Sequence, residues 1–328
     1  MPRPPIELLE LATGYQRSKT LFAAVDLALP TLLARRSLPR DEIAATLGVH
    51  PLAADRFLNA CVALGLAEIV DGEYRNTVVA ETFLVRGKPS YLGDLFARYD
   101  RTSYFVWTDL GARLRHWEPG ATDESLPVDA DQGEASLLAQ HNLARLVGHA
   151  LASTYDFGRH HTLLDLGGGS GALSMSACEA SPGLSAIVFD LPAVVPAAER
   201  LVAEAGLADR IRVEPGNFKE DPLPEGFDVA LLANLLSVSS EETNRDLLGR
   251  IHAALPEGGA VLLSGWVLDD ARTSPLVPVL FCLEDIIWQA PDVERSAATY
   301  ARWLEAAGFT SVECVPFCPP WSTIVGRK

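Results

Sequence analysis

Residues 163–171 read Leu-Leu-Asp-Leu-Gly-Gly-Gly-Ser-Gly. A glycine-rich turn between a strand and a helix lets the backbone approach a ligand closely. The pattern alone serves dinucleotides, phosphates or plain packing. Asp165 narrows it, because a carboxylate directly before the glycines repels a pyrophosphate and suits an ammonium group. Asp190 ends the next apolar run, in VFDLP, where a carboxylate can take two ribose hydroxyls bidentately. Asn217-Phe218 follow the third such run, where an amide and an aromatic face would bracket an adenine. Ribose, an amino-acid head and a positive sulfonium occur together in S-adenosylmethionine, the cofactor these positions imply. The expected cofactor-binding set is Asp165, Gly167, Gly169, Gly171, Asp190, Leu191, Asn217, Phe218 and Asn234. No metal is expected.

Such residues need a sheet to hold them. From residue 162 apolar runs alternate with helical segments: TLLDL, SAIVFD, RIRVEPGN, FDVALLAN and AVLLSGWVL as strands, with helices between. SVECVPF and STIVGRK close the chain, joined by a few residues around Pro319-Pro320, and should pair antiparallel. This alternation predicts a doubly wound α/β domain. Before it, residues 137–155 form an apolar helix with His141, Arg145 and His149 on one face. Residues 118–136 carry six acids and no Lys or Arg, and read as a solvated linker. Residues 6–36 have Leu and Ala at helical spacing. PRDEIAATLGVH and PLAADRFLNACVALGL follow as helices, and AEIVDGEYRNT reads as a hairpin around Asp71-Gly72. Helix, turn, helix and hairpin make a winged-helix pattern.

Charge argues against the usual use of that pattern. The chain has 328 residues, 27 Lys+Arg and 43 Asp+Glu, a net charge of −16. Residues 38–76 hold three Arg and six acids. Nucleic acid attracts clustered Lys and Arg, and no cluster exists here. No run reaches the length of a membrane helix, and the N-terminus lacks a secretory apolar core. Cys61, Cys178, Cys282, Cys314 and Cys318 read as reduced core residues of a cytoplasmic protein. Expected partners are a small-molecule substrate and a second copy of the chain, bound through apolar residues of segment 6–36.

Several stretches together resemble the bacterial and plant small-molecule O-methyltransferases: GVHPLAADRFLNACVALGLAE, GEYRNTVVAETFLVRGKPSYLGD, LLDLGGGSG, VFDLPAVV, VEPGNF, AALPEGGAVLLSGWVLDD and ATYARWLEAAGF. The resemblance implies a winged-helix dimerisation domain at 1–100, a helical, pocket-covering segment at 101–150, and a class I methyltransferase domain at 151–328. The last would be Rossmann-like, with seven strands. It places Gly167 and its neighbours on the methionine part, Asp190 on the ribose, and Asn217-Phe218 where the family has an Asp-aromatic pair beside adenine.

The family usually carries His-Asp-Trp just after the fourth strand of that domain, the His deprotonating the substrate hydroxyl. Here Ser237, Val238 and Ser239 occupy those positions, and Gly265 stands for an orienting acid. Glu294, in VERS, matches a third family acid. Three readings follow. The enzyme methylates a nucleophile that needs no base, through proximity. Alternatively His141, His149, Glu284, Asp285 or Glu294 serves as base. Or the fold keeps S-adenosylmethionine for other chemistry, as hydroxylase or pericyclase relatives do. A ligand-responsive winged-helix regulator is the reading from another class, opposed by the acidic recognition helix. The substrate wall is expected from Tyr104, Phe105, Trp107, Arg145, Phe281, Glu284 and Trp288, which suits a flat aromatic substrate. Trp303 reads as core.

Overall fold

The computed structural model describes residues 5–118, 130–287 and 295–328. The chain divides into two units, Met1–Phe105 and Val106–Lys328. The segment expected at 101–150 therefore does not stand alone; all but its first five residues belong to the second unit.

In the first unit, α1 (Ile6–Ala12), α2 (Gly14–Asp26) and α3 (Leu29–Leu33) share the stretch that the spacing reads as continuous. Ala28 adopts φ +54° and Pro30 opens α3, which ends α2. α4 (Arg40–Leu47) has Asp41 and Glu42 in its first turn and stops at Gly48, φ +66°. α5 (Pro51–Ala63) starts on a proline, where a missing N–H costs nothing. β1 (Ala67–Val70) and β2 (Glu73–Asn76) pair antiparallel, Val70 opposite Glu73. Asp71 and Gly72 between them both take positive φ, as a tight two-residue hairpin turn requires. α6 (Val78–Phe83), α7 (Gly93–Arg101) and the short α8 (Ser103–Val106) follow. Leu29, Leu33, Leu38, Ile43, Leu58 and Tyr74 fill the core. α1 buries none of its residues, and Leu8 and Leu11 are 64% and 78% exposed.

In the second unit, α9 (Leu110–Arg113) and the 25-residue α10 (Ala130–Thr154) precede β3 (Thr162–Leu166). Then come α11 (Ala172–Ala180), β4 (Ser185–Asp190), α12 (Val195–Glu204), β5 (Ile211–Pro215), β6 (Val229–Ala233), α13 (Glu241–Ala254), β7 (Ala260–Trp266), α14 (Leu276–Ile287), α15 (Ala297–Ala306), β8 (Thr310–Cys318) and β9 (Trp321–Arg327). The seven strands run in the order β5-β4-β3-β6-β7-β9-β8. The first five are parallel; β9 pairs antiparallel with both β7 and β8. Alternate residues of each strand serve two apolar layers. Leu164, Leu166 and Leu263 pack with α13 and α15. Leu163, Val188 and Leu262 pack with Leu151, Met175 and Val202 of α10, α11 and α12. Burial of this kind stabilises by about 1.5–3 kcal/mol per large aliphatic side chain. Trp303 is buried, and its indole donates to Glu241 of α13, in keeping with its reading as core.

All five cysteines are free thiols. Cys61 and Cys178 are core residues, and burial pushes their thiols up to about 12 and about 11. Cys314 corrects the expectation: it is exposed, because β8 is an edge strand. Among the described residues no helix is long and apolar enough to cross a membrane, and no group of three or more His, Cys, Asp or Glu could hold a metal ion.

Candidate active site

The parallel strands β3 to β7 all end at one edge of the sheet, and there the expected cofactor residues meet. The turn after β3 is held by Gly167 N–H on the Phe189 carbonyl (2.8 Å) and Gly171 N–H on the Gly168 carbonyl (2.9 Å). Gly167, Gly169 and Gly171 have φ of +66°, +56° and +71°, which only glycine adopts without strain. Gly168 is needed for a different reason: a Cβ there would stand 2.7 Å from Asp165 Cγ and 3.0 Å from the Asp165 carbonyl.

Asp165 is 1% exposed. Its Oδ2 accepts from Ser174 Oγ of α11 at 2.7 Å, while Oδ1 has no partner. Burial pushes its carboxyl up to about 6, and the neighbouring Asp190 charge adds to this against the Ser174 hydrogen bond. A buried acceptor lacking a donor fits a cationic head group. His141 Nδ1 lies 2.8 Å from Ser170 Oγ, so α10 is fastened to the glycine turn. Burial, and then Arg145, holds the His141 imidazole below its ordinary range, favouring the neutral ring.

Asp190 accepts from Gly169 N–H through Oδ2 and from Leu191 N–H through Oδ1, both at 2.7 Å. Burial raises its carboxyl, and these two bonds oppose the shift. Leu191 beside it is 42% exposed. Gly216 N–H donates to the Asp190 carbonyl, which brings the end of β5 alongside. A Cβ on Gly216 would fall into the Phe189 ring. Asn217 Oδ1 accepts from Lys219 N–H in a local turn, and Phe218 is half-buried against the core.

At the ends of β6 and β7, Asn234 takes φ +53°. Its N–H donates to the Ser264 carbonyl (2.9 Å), and its own carbonyl accepts from Ser237 Oγ (3.0 Å). A Cβ on Gly265, φ +155°, would stand 2.5 Å from Asn234 Oδ1. The amide thus fills the space in front of Gly265. Trp266 follows, its ring 3.9 Å from that of Phe281 on α14 and 6.1 Å from that of Trp321, centroid to centroid. Sequence reasoning placed Phe281 here but missed Trp266 and Trp321. Their signal is cross-strand register, Trp266 opposite Trp321, which periodicity within one strand does not carry.

Other expected positions lie elsewhere. Arg145, expected on the substrate wall, instead donates through Nη2 to both carboxylate oxygens of Glu179 and through Nη1 to Ser176 Oγ, both on α11. His149 Nε2 also approaches Glu179, at 3.9 Å. Their shared face therefore binds α10 to α11. Trp107 lies in a 3-10 turn (Trp107–Asp109). Arg113 of α9 donates to the Ile287 carbonyl of α14. Glu284 is half-buried on α14, and Asp285 pairs with the buried Arg295 at 2.6 Å. Tyr104 and Phe105 belong to the first unit, where Lys19 Nζ sits 5.0 Å from the Tyr104 ring centre and Phe105 is 61% exposed. Trp288 and Glu294 lie outside the described residues.

Residues 114–310 match the family model described as O-methyltransferase domain, and residues 9–86 match O-methyltransferase dimerisation domain. The chain is 35% identical to the tetracenomycin polyketide synthesis 8-O-methyl transferase TcmO of Streptomyces glaucescens, over 99% of this chain and 97% of that one. It is 35% identical to the N,N-dimethyltransferase OxyT of Streptomyces rimosus, over 92% and 90%. The solved structure of human N-acetylserotonin methyltransferase in complex with SAM superposes with a TM-score of 0.87 at 28% identity, covering 100% of this chain and 98% of that one.

Proposed function

The chain belongs to the O-methyltransferase family, in the form that joins a dimerisation domain to a methyltransferase domain, and from that premise we propose that it uses S-adenosylmethionine to methylate a small aromatic or polycyclic metabolite by positioning, without a histidine base. The observation that carries this reading is the end of β6 and β7. Ser237 and Gly265 stand where the resemblance puts a histidine and an acid, and the Asn234 amide lies over Gly265.

S-adenosylmethionine supplies a methyl group on a positive sulfonium, open to direct displacement. The chain binds and aligns. Asp190 takes the ribose hydroxyls, Leu191 offers an apolar face, and Asn217 and Phe218 take the adenine. The turn at Gly167–Gly171 lets the methionine part approach, with Asp165 Oδ1 as acceptor for its ammonium. Asn234 lies against the reacting end. Alignment in a dry pocket can supply several kcal/mol, within the roughly 7–11 available from proximity. Ser237 spends its hydroxyl proton on the Asn234 carbonyl and is no base near neutral pH. His141, with Nδ1 engaged by Ser170, fastens the turn. A nucleophile needing no base fits: an amine, a thiolate, an ionised acidic phenol or an enolate carbon. The names of TcmO and OxyT span oxygen and nitrogen. Labelled S-adenosylmethionine, offered with phenols, amines and thiols, should label at least one class; label in none would contradict the reading.

Ser237→Ala should change kcat less than about tenfold, since no general-base contribution of roughly 10²–10⁴ is there to lose. A hundredfold fall with cofactor affinity intact would mean that Ser237 is activated.

Asp165 makes cofactor binding pH-dependent. Its carboxyl, raised from 3.8 to about 6, gives a stability contribution that is full below 3.8 and lost as pH rises through about 6. An ammonium partner needs the ionised form, so binding releases a proton below pH 6. Affinity for S-adenosylhomocysteine should climb between pH 5 and 6, by up to about tenfold per unit, and level above 7. Calorimetry in buffers of different ionisation enthalpy reads this directly. Affinity flat from pH 5 to 7 would overturn the ammonium assignment.

The first unit is read as the contact of a homodimer, supported by its dimerisation-domain match and by the exposed apolar residues of α1. Light scattering should give a dimer mass; a monomer mass at every concentration would contradict it.

A further inference from the structure

The carboxyl end of β7 carries donors that the fold leaves unused. Trp266 Nε1 is sealed from solvent and has no hydrogen-bond partner. The hydroxyls of Ser264 and Thr323 are in the same state, in side chains 7% and 0% exposed. These three are neighbours. Ser264 is opposite Thr323 and Trp266 is opposite Trp321 in the antiparallel ladder, so all four side chains leave the same face of the sheet. Proteins rarely leave buried donors unpaired, so a group of three on one face calls for an acceptor. The surroundings are aromatic: Phe281 packs on Trp266 at a tilt of 50°, and Trp321 at 43°. Ser264 pairs with Ala233, the last residue of β6, so this patch adjoins the end of that strand, on the face opposite to the Asn234 amide.

We propose that Trp266 is a specificity-determining residue of the methyl transfer, its indole N–H binding a carbonyl oxygen on a flat polycyclic substrate whose ring packs against Phe281 and Trp321. Ser264 and Thr323 offer two further donors one residue pair deeper. The acceptor requirement separates quinone-like and ketone-bearing polycycles from bare aromatic phenols. The proposal rests on the methyltransferase reading above.

The test uses the full chain, with 2-hydroxyanthraquinone, an acidic phenol whose carbonyls are free of internal hydrogen bonds, and its carbonyl-free counterpart 2-hydroxyanthracene as probes. Trp266→Phe keeps the ring and removes the N–H; Thr323→Val removes a hydroxyl at constant shape. Trp266→Phe should raise KM for the anthraquinone about tenfold, the worth of one hydrogen bond from a buried donor. Its kcat should stay within about twofold, and KM for the anthracene and affinity for S-adenosylhomocysteine should not change. Thr323→Val should shift KM in the same selective sense. Equal shifts for both probes, no shift, or an unaltered chain that binds S-adenosylhomocysteine yet methylates neither probe would overturn the proposal and leave the family reading standing. An unaltered chain that fails to bind S-adenosylhomocysteine would remove the methyl-transfer reading, and this proposal with it.

Discussion

Asp190→Ala should weaken S-adenosylhomocysteine binding by one to two orders of magnitude, with the fold retained. Asp190 is the residue on which three requirements converge. Its two oxygens hold the Gly169 and Leu191 N–H groups, and its position at the end of β4 sets it beside the glycine turn. The alanine leaves those N–H groups without their acceptor and, on the assignment proposed above, the ribose hydroxyls as well. A hydrogen bond to a charged group contributes about 1.5–3 kcal/mol, a factor of roughly 10 to 150 in affinity. Calorimetry reads the loss, and circular dichroism verifies that the sheet persists. Unchanged affinity would rule out the ribose assignment.

The second large effect belongs to Gly168→Ala. Two of the atoms a Cβ would meet there, Cγ and Oδ2, belong to a buried carboxylate fixed to Ser174, and the third is a backbone oxygen, so none can swing away. Overpacking of this kind costs about 1–3 kcal/mol. Melting should fall by several degrees at roughly 2–4 °C per kcal/mol for a unit of this size. S-adenosylhomocysteine affinity should fall at least tenfold as Asp165 or the turn shifts. Gly183→Ala is the internal comparison, because nothing lies within 4 Å of its Cβ position. Equal behaviour of the two variants would show that the turn tolerates rearrangement.

The glycine turn and the acids beside it were legible in the sequence because their demands are local. Positive φ at Gly167, Gly169 and Gly171, an acid ending β3 and another ending β4 are each written within a few residues. The antiparallel pairing of the two closing strands likewise follows from their short connection, whereas the strand order, with β3 beside β6 and β7 beside β9, rests on long connections. What escaped depends on residues far apart in the chain. The filling of Gly265 by Asn234, and the stacking of Trp266, Phe281 and Trp321, arise from register between strands and from a helix laid over them. The face of His141, Arg145 and His149 was read correctly as a face, but the partner that claims Arg145 and His149 is Glu179 of α11, which helical spacing cannot identify. The break between α2 and α3 came from Ala28 in a left-handed conformation before Pro30, a local event that apolar spacing does not report.

The claim of methyl transfer by positioning is tested most directly by the pH dependence of the single-turnover rate over a series of phenols of graded acidity. Without an enzyme base, the inflection should follow the ionisation of each phenol and move across the series. An inflection fixed between about pH 6 and 7 for every phenol, the signature of a histidine base, would contradict the account.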